Sequence, residues 1–157
     1  MEDNICCQLI TKKTQKMLFN TSYKNDDYVK EANRLIGKTY SFIEKLKMRG
    51  VGSRRLVIEE LSSLIKPKNM QEIDANFASI ELRPKGVVIH FSNRLDRYSW
   101  IVPYRLMAIF STQTFSIHSN GQFIKFRKDK NYHDNKKFFD KMNDLKSAFL
   151  NMNYKII

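Results

Sequence analysis

Cysteine, proline and glycine are scarce here: two, three and five among 157 residues. Cys6 and Cys7 are neighbours, so a bridge between them is strained, and no third cysteine offers either a partner. A disulfide framework is excluded, and a reducing compartment is the simplest setting. No run approaches the ~18 consecutive apolar residues that a membrane span needs. Met1-Glu2-Asp3-Asn4 is acidic where a secretory signal is basic, so the expected location is cytoplasmic.

Catalytic patterns are equally sparse. The chain has no nucleophile elbow, no histidines at metal-ligand spacing and no Walker-type loop. Gly50-Val51-Gly52-Ser53 follows no expected strand and makes a poor phosphate loop. His90, His118 and His133 are scattered, and nothing in the sequence brings the carboxylates Glu81 and Asp96 together as an acid–base pair. No catalytic, metal-binding or cofactor-binding residue is assigned, and no cofactor is expected. An enzyme ranks behind binding roles, although a deep pocket holding His90 or His118 beside a carboxylate would restore it.

What the chain does have is core material and positive charge. It is 42% hydrophobic and 12% aromatic, which is enough for a packed domain. Its net charge of +12 favours anionic partners, but the excess is spread along the chain rather than gathered in one stripe.

Residues 1–25 show no sustained period and read as a tail or loosely docked arm. Val29, Ala32, Ile36, Thr39, Ile43 and Leu46 then recur at helical spacing, from a start near Asp26 to a stop at Arg49-Gly50-Val51-Gly52. Ser53 resembles an N-cap for a second helix carrying Val57, Ile58, Leu61, Leu64 and Ile65, closed by Pro67. Residues 26–67 are therefore expected to form a helical hairpin.

From Phe77 the period switches to two, and residues 77–127 read as an antiparallel meander of five or six strands. Across the Arg83-Pro84-Lys85-Gly86 turn, Leu82 should face Val87, Ile80 should face Ile89 and Ala78 should face Phe91. Asn120-Gly121 predicts a two-residue turn that sets Ile117 against Ile124 and Phe115 against Phe126. Lys128 to Asn135 reads as a charged linker. A C-terminal amphipathic helix follows, with Phe138, Phe139, Met142, Leu145, Phe149 and Met152 on one side. The fold class is α+β, with residues 77–152 forming one globular unit with the hairpin.

Arg83, Lys85, Arg94, Arg97 and Arg105 are candidate anion-binding residues around the first strand connections. Tyr98, Trp100 and Tyr104 are candidate aromatic contacts. The competing reading places Trp100 and Tyr98 in the core and leaves the arginines as solvated loop charges.

A bent antiparallel meander closed by one amphipathic helix resembles the pleckstrin-homology-like fold. The segment Tyr98-Ser99-Trp100-Ile101-Val102-Pro103-Tyr104, followed by a short strand and the Asn120-Gly121 hairpin, is similar to the middle of bacterial domains of that type. The resemblance covers about residues 77–152 and implies seven strands where the pattern shows five or six. It also implies protein or peptide binding as the commoner role, since the basic signature of lipid-binding members is matched only by Arg83, Lys85, Arg94 and Arg97. The expected function is thus a non-enzymatic interaction module for a protein or peptide. The alternative is binding of nucleic acid, anionic lipid or another anionic surface through basic residues near the sheet.

Overall fold

The computed structural model describes residues 17–67, 76–93 and 95–154. Cys6, Cys7, the first sixteen residues of the expected arm and Arg94 lie outside the described residues. In chain order the elements are β1 (Leu18–Asn20), α1 (Asp26–Ile36), α2 (Phe42–Lys47), β2 (Leu56–Leu61), β3 (Phe77–Arg83), β4 (Gly86–Asn93) and β5 (Asp96–Pro103). A single 3-10 turn, Tyr104–Leu106, leads to β6 (Met107–Ser111), β7 (Phe115–Ser119), β8 (Gln122–Phe126), α3 (Lys130–Asp134) and α4 (Lys136–Tyr154).

The strands form one open antiparallel sheet in the order β1-β5-β4-β3-β2-β8-β7-β6. Alternation sets the register of its centre. Leu82 pairs with Val87, Ile80 with Ile89 and Ala78 with Phe91, so each apolar side chain meets another on the inner face. The Asn120-Gly121 turn has positive φ at both residues (52° and 77°), as a primed hairpin turn requires, and sets Ile117 on Ile124 and Phe115 on Phe126.

Strand β2 joins the two halves of the sheet. Leu56 and Val57 pair with β3, and the register then shifts between Ile58 and Glu60 before Leu61 pairs with Ile124 of β8. α4 lies on the inner face, where Phe138, Phe139 and Met142 bury among Trp100, Phe115, Ile124 and Phe126. α1 packs on the opposite, outer face, setting Ala32 and Ile36 against Val88, Ile101 and Phe19.

The expected helical hairpin is corrected in two places. Gly37 takes φ 85°, which ends α1 at Ile36. A new helix starts at Ser41, whose side chain accepts from the Glu44 amide while the Glu44 carboxylate accepts from the Ser41 amide. The expected second helix is strand β2, and Ser53 is not a helix cap. Its hydroxyl accepts from the Ile80 amide at 2.8 Å. The bulge between Ile58 and Glu60 explains the misreading. It inserts an extra residue, so Ile58 and Leu61 both turn inward three positions apart, a helical spacing within a strand.

Three smaller corrections follow. Among the described residues the sheet has eight strands rather than five or six, because β1 and β2 were hidden in the supposed tail and hairpin. The linker after Lys128 contains α3, capped by the Asp129 carboxylate on the Tyr132 amide. Met152, placed on the core side of the last helix, is 63% exposed, because α4 runs past the edge of the core.

Candidate functional site

The outer face of β3, β4 and β5 carries the side chains opposite in phase to the core: Ser79, Glu81 and Arg83 on β3, Val88, His90 and Ser92 on β4, and Arg97, Ser99 and Ile101 on β5. α1 covers the apolar part, Val88 and Ile101. The remainder is polar and partly open.

One hydrogen-bonded chain crosses this face. Arg83 Nε donates to Glu81 Oε1 at 2.8 Å, and Arg83 Nη1 donates to the Gly37 carbonyl at 3.3 Å. Glu81 Oε2 lies 3.1 Å from His90 Nε2, and His90 Nδ1 lies 2.8 Å from Ser99 Oγ. Ser99 Oγ in turn lies 2.8 Å from Thr21 Oγ1. Burial works against the charge of Glu81, but the hydrogen bond from His90 and the Arg83 guanidinium outweigh it and hold its carboxyl below the ordinary range. An ionised Glu81 can only accept, so with a neutral ring the proton sits on Nε2 and Nδ1 accepts from the Ser99 hydroxyl. Tyr28 of α1 reaches Ser99 and Arg83 from above; burial, the largest influence on its phenol, raises its pKa.

Serine, histidine and glutamate in this order are the parts of a nucleophile relay. Ser99, however, has 0% exposure, so a substrate carbon cannot reach its hydroxyl. The chain acts as a clamp: it ties Thr21, Tyr28 and the end of α1 to the sheet. His90 beside Glu81 does meet the geometric condition for an acid–base pair, and no single element of the sequence announces it. The signal is the cross-strand register, which places Ser79, His90 and Ser99 in one row.

Beside the clamp lies an open groove of about 750 Å³. Its floor holds Ser79, His90 and Ser92; Arg55 and Arg97 stand at opposite sides; Tyr28 and Phe77 rim it.

The basic candidates are not brought together. Arg83 is buried and already paired with Glu81. Lys85 and Arg105 are exposed near the β3–β4 turn, where Gly86 pairs with Pro103. Arg97 is exposed at the other end of β5, six residues from Pro103, or about 20 Å along a strand. Of the aromatic candidates, Trp100 and Tyr104 are core residues with 1% and 0% exposure, and Tyr98, whose backbone borders the groove, stacks its ring on Phe91 on the inner face. Arg55, which sequence reasoning passed over, is the exposed arginine that shares the groove with Arg97.

A second feature lies at the far edge of the sheet. Among the described residues β6 pairs with β7 on one side and ends the strand order. The two-residue turn makes Ser119 and Gln122 a hydrogen-bonded pair, and alternation along β7 then bonds Ala108 and Phe110 to His118 and Ser116. The main-chain groups of Ile109 and Ser111 therefore point outward. On the outer side Phe110 meets His118 edge-on at 4.9 Å, His118 stacks on Phe123 at 5.4 Å, and Lys125 Nζ sits 5.1 Å from the Phe123 ring centre. Burial, with a smaller effect of Lys125, lowers the His118 pKa and favours the neutral ring.

No group of His, Cys, Asp or Glu side chains among the described residues could hold a metal ion, and no described helix is long and apolar enough to cross a membrane. Compared with known proteins, the chain matches no family model, no curated protein and no solved structure.

Proposed function

We propose that this chain is an interaction module on a pleckstrin-homology-like sheet and that it binds an extended peptide by strand addition along β6. The observation that carries the reading is the open edge itself. Edge strands are commonly protected by lysine, proline or a bulge. The sequence Met107-Ala108-Ile109-Phe110-Ser111 has no charge and no proline, and its register with β7 is continuous. An added strand would take hydrogen bonds from Ile109 and Ser111 and set alternate side chains against Phe110, which is 53% exposed.

The family part of the reading is supported by strand order. Residues 77–152 supply six antiparallel strands, β3 to β8, ahead of α3 and α4, and β2, from outside that range, makes up the seven that the resemblance calls for. A reducing, cytoplasmic setting belongs to the same reading and is supported by the adjacent Cys6 and Cys7. The separation of Arg97 from Lys85 and Arg105 favours a peptide over a long nucleic-acid footprint.

Panning a random heptapeptide library on the protein tests the proposal. Selected peptides should carry apolar residues at alternate positions and lose binding to an Ile109→Pro variant, which lacks an outward amide but keeps the β7 ladder. Selected peptides that bind this folded variant as well as the parent would refute the edge.

A further inference from the structure

We infer that the groove on the outer face of β3, β4 and β5 is a separate binding site for a small phosphate-bearing ligand. The inference rests on the side chains that line the groove and is independent of the β6 edge.

Arg55 and Arg97 are both exposed, both line the groove, and neither guanidinium makes an ion pair among the described residues. Arg34, Arg54 and Arg83, by contrast, pair with Glu31, Asp134 and Glu81, while the other arginines without an ion pair among the described residues, Arg49, Arg105 and Arg127, do not line the groove. Arg55 stands just before β2 and Arg97 lies on β5, so three strand spacings, about 14 Å, separate their backbones. Both side chains are long enough to reach one ligand seated over Ser79, His90 and Ser92. Among the described residues no carboxylate lines the groove. Glu81, bonded to His90 of the groove, has its charge offset by Arg83, and Asp96, next to Arg97, accepts a hydrogen bond from Ser22 Oγ at 3.4 Å.

The donors suit phosphate. Guanidinium groups bind phosphate oxygens in pairs through parallel N–H bonds, and the Ser79 and Ser92 hydroxyls on the floor can serve the remaining oxygen. Tyr28 and Phe77 at the rim offer ring faces and edges to an apolar or planar remainder of the ligand. The groove, at about 750 Å³, falls in the usual size range of small-molecule sites.

Pyrophosphate and adenosine monophosphate are suitable probes, titrated at constant ionic strength and followed by backbone amide shifts. Saturable shifts centred on Ser79, His90, Ser92 and Arg97 are expected with at least one probe. Arg55→Gln and Arg97→Gln should each weaken binding by about ten-fold, the loss of one charge-assisted contact. Lys137→Gln removes the same charge from an exposed position on α4 and should leave affinity unchanged. Both arginines are exposed, so the variants should fold, and an unaltered melting temperature verifies it. Three results would overturn the site: unsaturable shifts spread over the basic surface, equal weakening by Lys137→Gln, or binding of an octapeptide with a central phosphoserine but of neither small probe.

Discussion

Arg83 and Glu81 sit two residues apart on one face of β3, and their side chains meet at 2.8 Å although Arg83 is almost wholly buried. The pair sits under the end of α1 and links it to the His90–Ser99–Thr21 chain. Breaking a buried pair commonly costs ~3–5 kcal/mol. Glu81 retains 25% side-chain exposure, so Glu81→Gln should cost less, about 2 kcal/mol in a denaturant titration.

The same carboxylate makes stability depend on acidity. Its folded pKa is lowered, so its contribution is complete above the ordinary carboxylate pKa and is lost as pH falls through the folded value. Unfolding free energy measured from neutral pH downward should decline less steeply below pH ~4.5 in Glu81→Gln than in the parent. Parallel acid limbs would contradict the pairing.

Ile36 and Ile43 belong to one helical stripe in the sequence, yet Ile36 is fully buried on Val88 and Ile101 while Ile43 is 63% exposed on α2. Ile36→Ala should cost ~2–4 kcal/mol and Ile43→Ala no more than ~0.5 kcal/mol. Chemical denaturation of the two variants separates a broken helix from a continuous one, which would bury both.

Gly86 opens β4 where α1 reaches the sheet. A Cβ there would lie 2.5 Å from the Val102 carbonyl oxygen and 2.9 Å from Pro103 Cα, so backbone rather than a flexible side chain must yield. Gly86→Ala should destabilise by ~1–3 kcal/mol or more. An unchanged melting temperature would mean that α1 and β5 do not approach β4 this closely.

Tyr104 tests the core from another side. Its hydroxyl is buried with no hydrogen-bond partner among the described residues, and burial, with a smaller effect of Tyr40, raises its pKa strongly. Tyr104→Phe should be neutral or stabilising by up to ~1 kcal/mol, since an unpaired buried hydroxyl costs desolvation. A loss greater than that would show that the hydroxyl has a partner.

What the sequence made legible follows from local physics. Alternation and the Asn120-Gly121 turn determine the registers of β3 with β4 and of β7 with β8, because a one-residue slip would expose every core side chain. β1 escaped notice because three residues are too few to show a period, and Phe19 is buried only once α1 and β5 are in place. β2 was masked by its bulge, although Leu56-Val57-Ile58 is favourable strand composition. The Ser41–Glu44 capping box marks a second helix start inside the long stripe, and the reading of one continuous helix passed over it. The groove was not legible, because Arg55, Ser79, His90 and Arg97 meet only through the pairing of four strands.

The most direct test of peptide addition is amide hydrogen exchange along β6, with and without a peptide selected on the protein. Strand addition predicts that the outward amides of Ile109 and Ser111 gain protection, while Ala108 and Phe110, already bonded to β7, change little. Protection appearing elsewhere, with Ile109 and Ser111 still exchanging as in the free protein, would contradict the account.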